Sequence, residues 1–272
     1  MSIRCAVLGD PIAHSLSPVL HRAAYAATGI DGEYDAHRVP AGGLAGFVAG
    51  LGADWRGLSL TMPLKREALA LTDAVGDWAR LAGAANTLVR EGHGWSADNT
   101  DVPGAVAALR EGAARPLVAA TILGGGATAA STALALCELG VGSLTLLVRS
   151  PERAAGTLAV LDSHPARPAV RVGSLVSGDV VGDVVVSTIP AAAQTAELVT
   201  RCADVPVVFE VVYDPWPTPL AAAAVGDPDR VLIGGLDLLV HQAALQFEMF
   251  TGRTAPLAAM RVAGESALRE RG

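Results

Sequence analysis

Cysteine is scarce in this chain. Cys5, Cys137 and Cys202 are odd in number, far apart and free of any C-x-x-C spacing, which disfavours both a disulfide framework and a zinc site. Aromatic residues make up only 4%, too few for the stacking platforms that hold single-stranded nucleic acid. Basic residues are outnumbered, 20 Lys and Arg against 27 Asp and Glu, for a net charge of −7. A nucleic-acid surface or a polybasic membrane patch carries the opposite balance. No run reaches the roughly 18 apolar residues of a membrane span, and MSIRCAVLGD lacks the charged stretch and apolar run of a signal peptide. These absences predict a cytoplasmic protein with no metal, no nucleic-acid partner and no membrane association.

What is present is an apolar, globular composition. Over 272 residues, 51% are hydrophobic and 17% charged, and at roughly 150 residues per domain the length predicts about two domains. Strand and helix signals alternate. Short apolar runs predict strands at Ile3–Leu8, Tyr34–Val39, Leu58–Met62, Leu117–Leu123, Leu144–Val148, Val184–Ser187, Val207–Val211 and Val231–Ile233. Between them, helices are predicted over Ser17–Gly29 (with Ser17 as N-cap and Pro18 in the first turn), Pro40–Leu51, Val102–Glu111, Ala127–Leu139 and Pro151–Leu161. Glu91-Gly92-His93-Gly94 predicts a hairpin turn, Glu111–Pro116 a linker, and the chain from Gly235 onward is mostly helical. Such alternation predicts a parallel, doubly wound α/β sheet.

One strand runs into a glycine-rich turn, Leu123-Gly124-Gly125-Gly126-Ala127-Thr128-Ala129, a G-x-G-x-x-A pattern that opens a helix. The first glycine permits a tight turn and the second lets the backbone approach a pyrophosphate. Ala129 lets the helix pack close to the sheet. The helix N-terminus then offers N–H groups to phosphate. An NAD site places an acid about 20 residues on, at the tip of the next strand. Here that tip reads Arg149-Ser150, with Arg153 one turn later. Guanidinium groups and a hydroxyl suit a 2′-phosphate, so the pattern favours NADP. The plain alternative is a pair of solvated surface arginines.

Four polar clusters mark the first hundred residues: Gly9-Asp10-Pro11-Ile12-Ala13-His14-Ser15-Leu16-Ser17-Pro18, Ser59-Leu60-Thr61-Met62-Pro63-Leu64-Lys65, Ala82-Gly83-Ala84-Ala85-Asn86-Thr87 and Asp98-Asn99-Thr100-Asp101. Each lies at or just beyond the end of an expected strand, where open α/β sheets bind ligands. Ser15, Ser17, Thr61, Asn86 and Asp101 can converge as partners for a polyhydroxylated substrate. Singly, each has a plain alternative: a helix cap at Ser17, turn residues at Asn86 and Asn99, a solvated helix start at Lys65.

Taken in order, these clusters resemble the shikimate dehydrogenase family, whose patterns run G-x-P-I-x-H-S-x-S-P, N-V-T-x-P-x-K, A-x-N-T, D-N-T-D, G-x-G-G-A, N-R-T-x-x-R-A and G-L-x-M-L-V-x-Q-A. The resemblance spans nearly the whole chain. It implies reversible oxidoreduction of shikimate and 3-dehydroshikimate with NADP. Lys65 matches the catalytic lysine and Asp101 its aspartate partner. Ser15 and Ser17 match the grip on the substrate carboxylate, and Tyr213 a tyrosine near it. Thr61, Asn86 and Gln242 match residues that bind the substrate's hydroxyls and ring. Gly124, Gly125, Gly126, Ala127, Thr128, Arg149, Ser150 and Arg153 match the contacts to pyrophosphate and 2′-phosphate. Val211 and Gly235 match positions lining the nicotinamide, and Asp77 an acidic position facing the cofactor. Departures from the pattern include Ser59 for Asn in N-V-T, Val148 for Asn in N-R-T, Val102 after D-N-T-D, and Leu238 for Met.

The resemblance also implies two domains separated by a cleft. A substrate-binding and catalytic α/β domain takes residues 1–101 and is completed by C-terminal helices over 236–272. A Rossmann-like NADP-binding domain takes residues 102–235. The C-terminal helices are candidates for a homodimer contact. Two rival readings stay open: a paralogue acting on quinate, and a non-catalytic sensor that binds NADP or shikimate. A sensor has no need of a proton-transfer pair such as Lys65 and Asp101.

Overall fold

A computed structural model describes residues 3–271. The chain divides into two compact units, one built from Met1–Thr100 together with Leu239–Gly272, the other from Asp101–Leu238.

The first unit starts with β1 (Ile3–Gly9), α1 (Ser17–Thr28), β2 (Gly32–Arg38), α2 (Leu44–Ala49) and β3 (Trp55–Leu60). A 3-10 turn (Glu67–Leu71), α3 (Asp77–Ala82), β4 (Thr87–Glu91) and β5 (Gly94–Asp98) follow. The sheet order is β2-β1-β3-β4-β5. β1 runs parallel to both β2 and β3, while β4 and β5 form the expected antiparallel hairpin on the far side. One face of the sheet buries Ala6, Leu8, Leu58, Leu60, Leu88 and Ala97 against Leu44, Leu64 and Ala68. Apolar helix and strand faces meeting in this way supply most of the stability of such a layer.

The second unit holds α4 (Asp101–Gly112), β6 (Ala119–Leu123), α5 (Ala127–Glu138), β7 (Ser143–Val148), α6 (Ala155–Ser163) and β8 (Ala169–Ser174). These lead to β9 (Val184–Ser187), α7 (Ala196–Arg201), β10 (Val207–Glu210), α8 (Pro219–Val225) and β11 (Val231–Ile233). Its sheet, ordered β11-β10-β9-β6-β7-β8, is parallel throughout. This is the doubly wound order, with its switch point between β6 and β9. Both faces are covered. Ile122, Leu146, Val186 and Phe209 pack on the α5 side, and Leu123, Leu147, Val185 and Val208 on the other. That is why these strands read as unbroken apolar runs. Residues 113–118 join α4 to β6 inside this unit, so the expected linker Glu111–Pro116 begins in the last residues of α4. The chain leaves it within α9 (Gly235–Thr251), and α10 (Leu257–Arg269) closes the sequence. In the first unit α10 packs on α1.

Three local expectations need correction. Ser17 is not the N-cap of α1: Leu16 holds that place with no side-chain capping bond, and Ser17 and Pro18 are the first helical residues. The segment predicted as one helix over Pro151–Leu161 begins as a 3-10 turn, Pro151–Ala154, before α6. β8 has no counterpart among the predicted strands. It is an edge strand with four of its six residues exposed and Arg171 at its centre, so it carries no apolar run.

Candidate active site

In the first unit, the ends of β1, β3 and β5 and the start of β4 are knitted together by backbone bonds. β1 ends at Gly9, where a Cβ would stand 2.3 Å from Thr61 Cγ2, so only glycine lets Thr61 come this close. The Thr61 N–H donates to the Leu8 carbonyl at 2.9 Å, and the Leu64 N–H closes a turn on the Thr61 carbonyl at 2.9 Å. Lys65 follows that turn, half-buried, and its carbonyl accepts from the Ala85 N–H at 2.7 Å. The backbone of Lys65 is thereby fixed beside Asn86. Ser15 Oγ accepts from the Ser17 N–H at 3.3 Å, and Ser17 is buried at the head of α1.

The third and fourth polar clusters form a single knot. The Asn86 N–H donates to the Asp98 carbonyl at 3.1 Å. Asn86 Oδ1 accepts from the Thr100 N–H at 2.8 Å and from the Thr87 hydroxyl at 2.8 Å. Asn99 Nδ2 donates to the Ala84 carbonyl at 2.8 Å. Asn86 Nδ2 donates to Thr100 Oγ1 at 3.0 Å and to Gln242 Oε1 at 3.3 Å, which brings in α9. All of these side chains are buried, so their bonds replace water and fix their orientation. Asp101, directly after Thr100, is the buried first residue of α4, where an acidic side chain complements the helix dipole. Asp77 is placed differently: it is an exposed residue opening α3, ion-paired with Arg80 at 2.6 Å.

In the second unit, the glycine turn is held from two sides. Gly124 has φ +113° and a Cβ there would meet Thr188 Oγ1 at 2.3 Å, while the Thr188 hydroxyl donates to the Leu123 carbonyl at 2.8 Å. Gly125 lies against Arg153, whose carbonyl oxygen would stand 2.2 Å from a Cβ. Gly126 faces open space, with nothing within 4 Å of its Cβ position, and caps α5 with no side-chain bond. A turn that is closed at two glycines and open at the third, leading into an uncapped helix, fits a dinucleotide pyrophosphate. Ala127 and Thr128 open α5, and Arg149 and Ser150 follow β7 at its carboxyl end. The Ser150 hydroxyl beside Glu152 holds that exposed carboxyl below its usual range.

Val211 and Gly235 also meet: a Cβ on Gly235 would lie 2.4 Å from the Val211 carbonyl oxygen. Tyr213 sits in the loop between β10 and α8, anchored by buried Glu210. One Glu210 oxygen accepts from the Val212 N–H at 3.1 Å. The other accepts from the Thr218 hydroxyl at 2.9 Å and from Gln194 Nε2 at 2.6 Å. Burial pushes the Glu210 carboxyl up, and these donors oppose it.

Two family models match the chain: the shikimate dehydrogenase substrate binding domain over residues 7–88 and the shikimate 5′-dehydrogenase C-terminal domain over residues 235–263. A shikimate dehydrogenase (NADP(+)) of Moorella thermoacetica is 38% identical, with 94% of this chain and 90% of the relative covered. The chain belongs to the shikimate dehydrogenase family. The shikimate dehydrogenase structure from Mycobacterium tuberculosis superposes with a TM-score of 0.88 at 42% identity, covering 97% of this chain and 99% of that one. The Thermus thermophilus shikimate 5-dehydrogenase in complex with NADP(H) and shikimate gives 0.82 at 29% identity, over 97% and 99%. A quinate dehydrogenase from Corynebacterium glutamicum in complex with NAD shares the fold at 0.87 and 28% identity, over 97% and 99%.

For this shikimate dehydrogenase family member, sequence reasoning missed Gln246, whose amide bonds Asn86 and Thr87. Gln246 stands one helical turn after Gln242, so i,i+4 spacing on a shared face was the available signal.

Proposed function

We propose that this chain catalyses the reversible, NADP-dependent oxidoreduction of shikimate and 3-dehydroshikimate. Lys65 and Asp101 form the catalytic pair. Residues 1–101 with 236–272 hold the substrate, and residues 102–235 hold the cofactor. It acts on this small molecule in the cytoplasm, without nucleic acid or membrane; among the described residues no helix is long and apolar enough to cross one.

The observation that carries the reading is the buried knot that joins Asn86 to Asp98 and Thr100 and seats Lys65 beside it. It gives both family motifs a structural reason to occur together in one chain. When bound, NADP supplies the hydride donor or acceptor. The chain's own residues do the rest. The Lys65 ammonium donates to the substrate oxygen on which negative charge develops and exchanges a proton with it. Asp101 orients that lysine and the substrate hydroxyl beside it. Ser15 and Ser17 donate to the substrate carboxylate, with Tyr213 nearby, and Thr61, Asn86 and Gln242 bind its hydroxyls and ring. Holding substrate and cofactor in a reactive geometry supplies much of the rate. Gly124 to Thr128 receive the pyrophosphate, Arg149, Ser150 and Arg153 the 2′-phosphate, and Val211 and Gly235 line the nicotinamide, with Asp77 facing the cofactor.

The test is absorbance of the reduced nicotinamide in four mixtures: shikimate or quinate, each with NADP or NAD. Fast reduction with shikimate and NADP supports the proposal. Faster turnover with quinate or NAD moves the assignment to the paralogue. Silence in all four mixtures from folded protein leaves a sensor.

A further inference from the structure

The buried polar side chains of the first unit form a chain of hydrogen bonds whose direction is fixed at both ends. The Tyr34 hydroxyl donates to Ser59 Oγ at 2.5 Å, and Ser59 Oγ donates to Gln246 Oε1 at 2.6 Å. Gln246 Nε2 donates to the Asn86 backbone carbonyl at 3.1 Å and to Thr87 Oγ1 at 2.9 Å. The Thr87 hydroxyl then donates to Asn86 Oδ1.

Side-chain amides can be placed either way round in a structure, so their orientation has to be argued from their partners. Here the partners decide. A backbone carbonyl can only accept, so the nitrogen of Gln246 faces Asn86 and its oxygen faces Ser59. A backbone N–H can only donate, so Asn86 turns its oxygen to the Thr100 N–H. Thr87 receives from Gln246 and therefore spends its single proton on that same Asn86 oxygen. The NH₂ end of Asn86 is left directed toward Gln242 and the Thr100 hydroxyl.

We propose that Gln246 is a positioning residue for substrate recognition. Through Thr87 and the Asn86 carbonyl it fixes the Asn86 amide with its oxygen toward Thr87 and the Thr100 N–H and its NH₂ toward Gln242 and the Thr100 hydroxyl, so that the substrate-binding amides of Asn86 and Gln242 meet the ligand in one arrangement. Ser59 belongs to the same device, since its hydroxyl satisfies the oxygen that Gln246 turns away from Asn86. The inference rests on the reading of Asn86 as a substrate-binding residue.

A double-mutant cycle on the full-length enzyme tests it, with KM and kcat measured for shikimate and KM for NADP. Gln246→Met keeps the length and volume of the side chain and removes both its donor and its acceptor. It is expected to raise the shikimate KM at least fivefold while kcat and the NADP KM change less than twofold. In an Asn86→Ala background the same substitution is expected to add nothing, because the group it positions is gone. Ser59→Ala, which removes one hydroxyl, is expected to raise the shikimate KM at least twofold with the same loss of effect in the Asn86→Ala background. Ser59→Thr, which keeps the hydroxyl, is expected to behave as the parent. If Gln246→Met does not fold, the two Ser59 variants carry the test. An unchanged shikimate KM in the folded variants, or an effect that persists fully in the Asn86→Ala background, overturns the positioning role. An Asn86→Ala variant with the parent shikimate KM overturns the substrate-binding reading of Asn86 and the inference with it.

Discussion

His21 and Tyr34 stack face to face inside the first unit, with ring centroids 4.0 Å apart and planes 7° from parallel. Burial pushes the His21 imidazole down to about 3, with the Gln246 side chain opposing. An unfolded chain has an ordinary histidine near 6.5. Between those two values the unfolded state takes up a proton that the folded state refuses. Stability is therefore lost as pH falls through that window, at about 1.4 kcal/mol per pH unit for this one group. His21→Phe keeps the stack and removes the proton uptake. Urea midpoints measured from pH 7.5 down to 4.5 are expected to fall less steeply in the variant, and parallel curves would contradict the buried neutral imidazole.

Lys65→Ala removes the ammonium while its backbone bond to Ala85 survives. Turnover with shikimate is expected to drop roughly 10²- to 10⁴-fold, the usual worth of a positioned proton donor. Cofactor affinity, followed by fluorescence titration with NADPH, is expected to stay within about twofold of the parent. Retained turnover would remove Lys65 from the chemistry.

Arg149→Ala and Arg153→Ala each delete a guanidinium from the end of β7 or the turn after it. Each is expected to raise the NADP KM roughly tenfold, the scale of one charged hydrogen bond, and to leave any activity with NAD unchanged. A matching loss with both cofactors would mean that the arginines support the fold rather than read the 2′-phosphate.

Gly235→Ala forces a methyl to within 2.4 Å of the Val211 carbonyl oxygen, and the backbone there must shift. A stability loss of about 1–3 kcal/mol is expected from overpacking of this kind, with a rise in cofactor KM. Gly142→Ala is the control, since nothing lies within 4 Å of its Cβ position. Equal melting temperatures for the two variants would rule out the close approach.

Much of this molecule was legible in its sequence because its signals are local. Strands buried on both faces, such as Val184–Ser187, need unbroken apolar runs, and the glycine turn needs its residues at fixed offsets. Both survive translation into a one-dimensional pattern. What escaped depends on contacts between distant segments. The exposed edge strand Ala169–Ser174 is held by backbone bonds to β7, and backbone bonds leave no mark on side-chain choice. Ser17 carries the residue types of a helix cap, yet the helix starts at it rather than after it. Gln246 looks like an ordinary polar helix residue until Ser59, 187 positions earlier, is found 2.6 Å away. Asn86 and Gln242 could be named from motifs, but the orientation of their amides follows only from who donates to whom.

The first unit is assembled from the two ends of the chain, while the second is one uninterrupted stretch. On a ribosome, residues emerge from the amino end, and domains ordinarily close in that order. Here the order is reversed. Residues Asp101–Leu238 can complete their sheet as soon as they leave the exit tunnel. The β1–β5 sheet, although synthesised first, waits for the segment that brings Phe250 against Gly57 and α10 against α1. The sheet made before the second unit is thus finished after it, and a nascent chain stalled before Leu239 would carry a folded second unit behind an open, apolar first one.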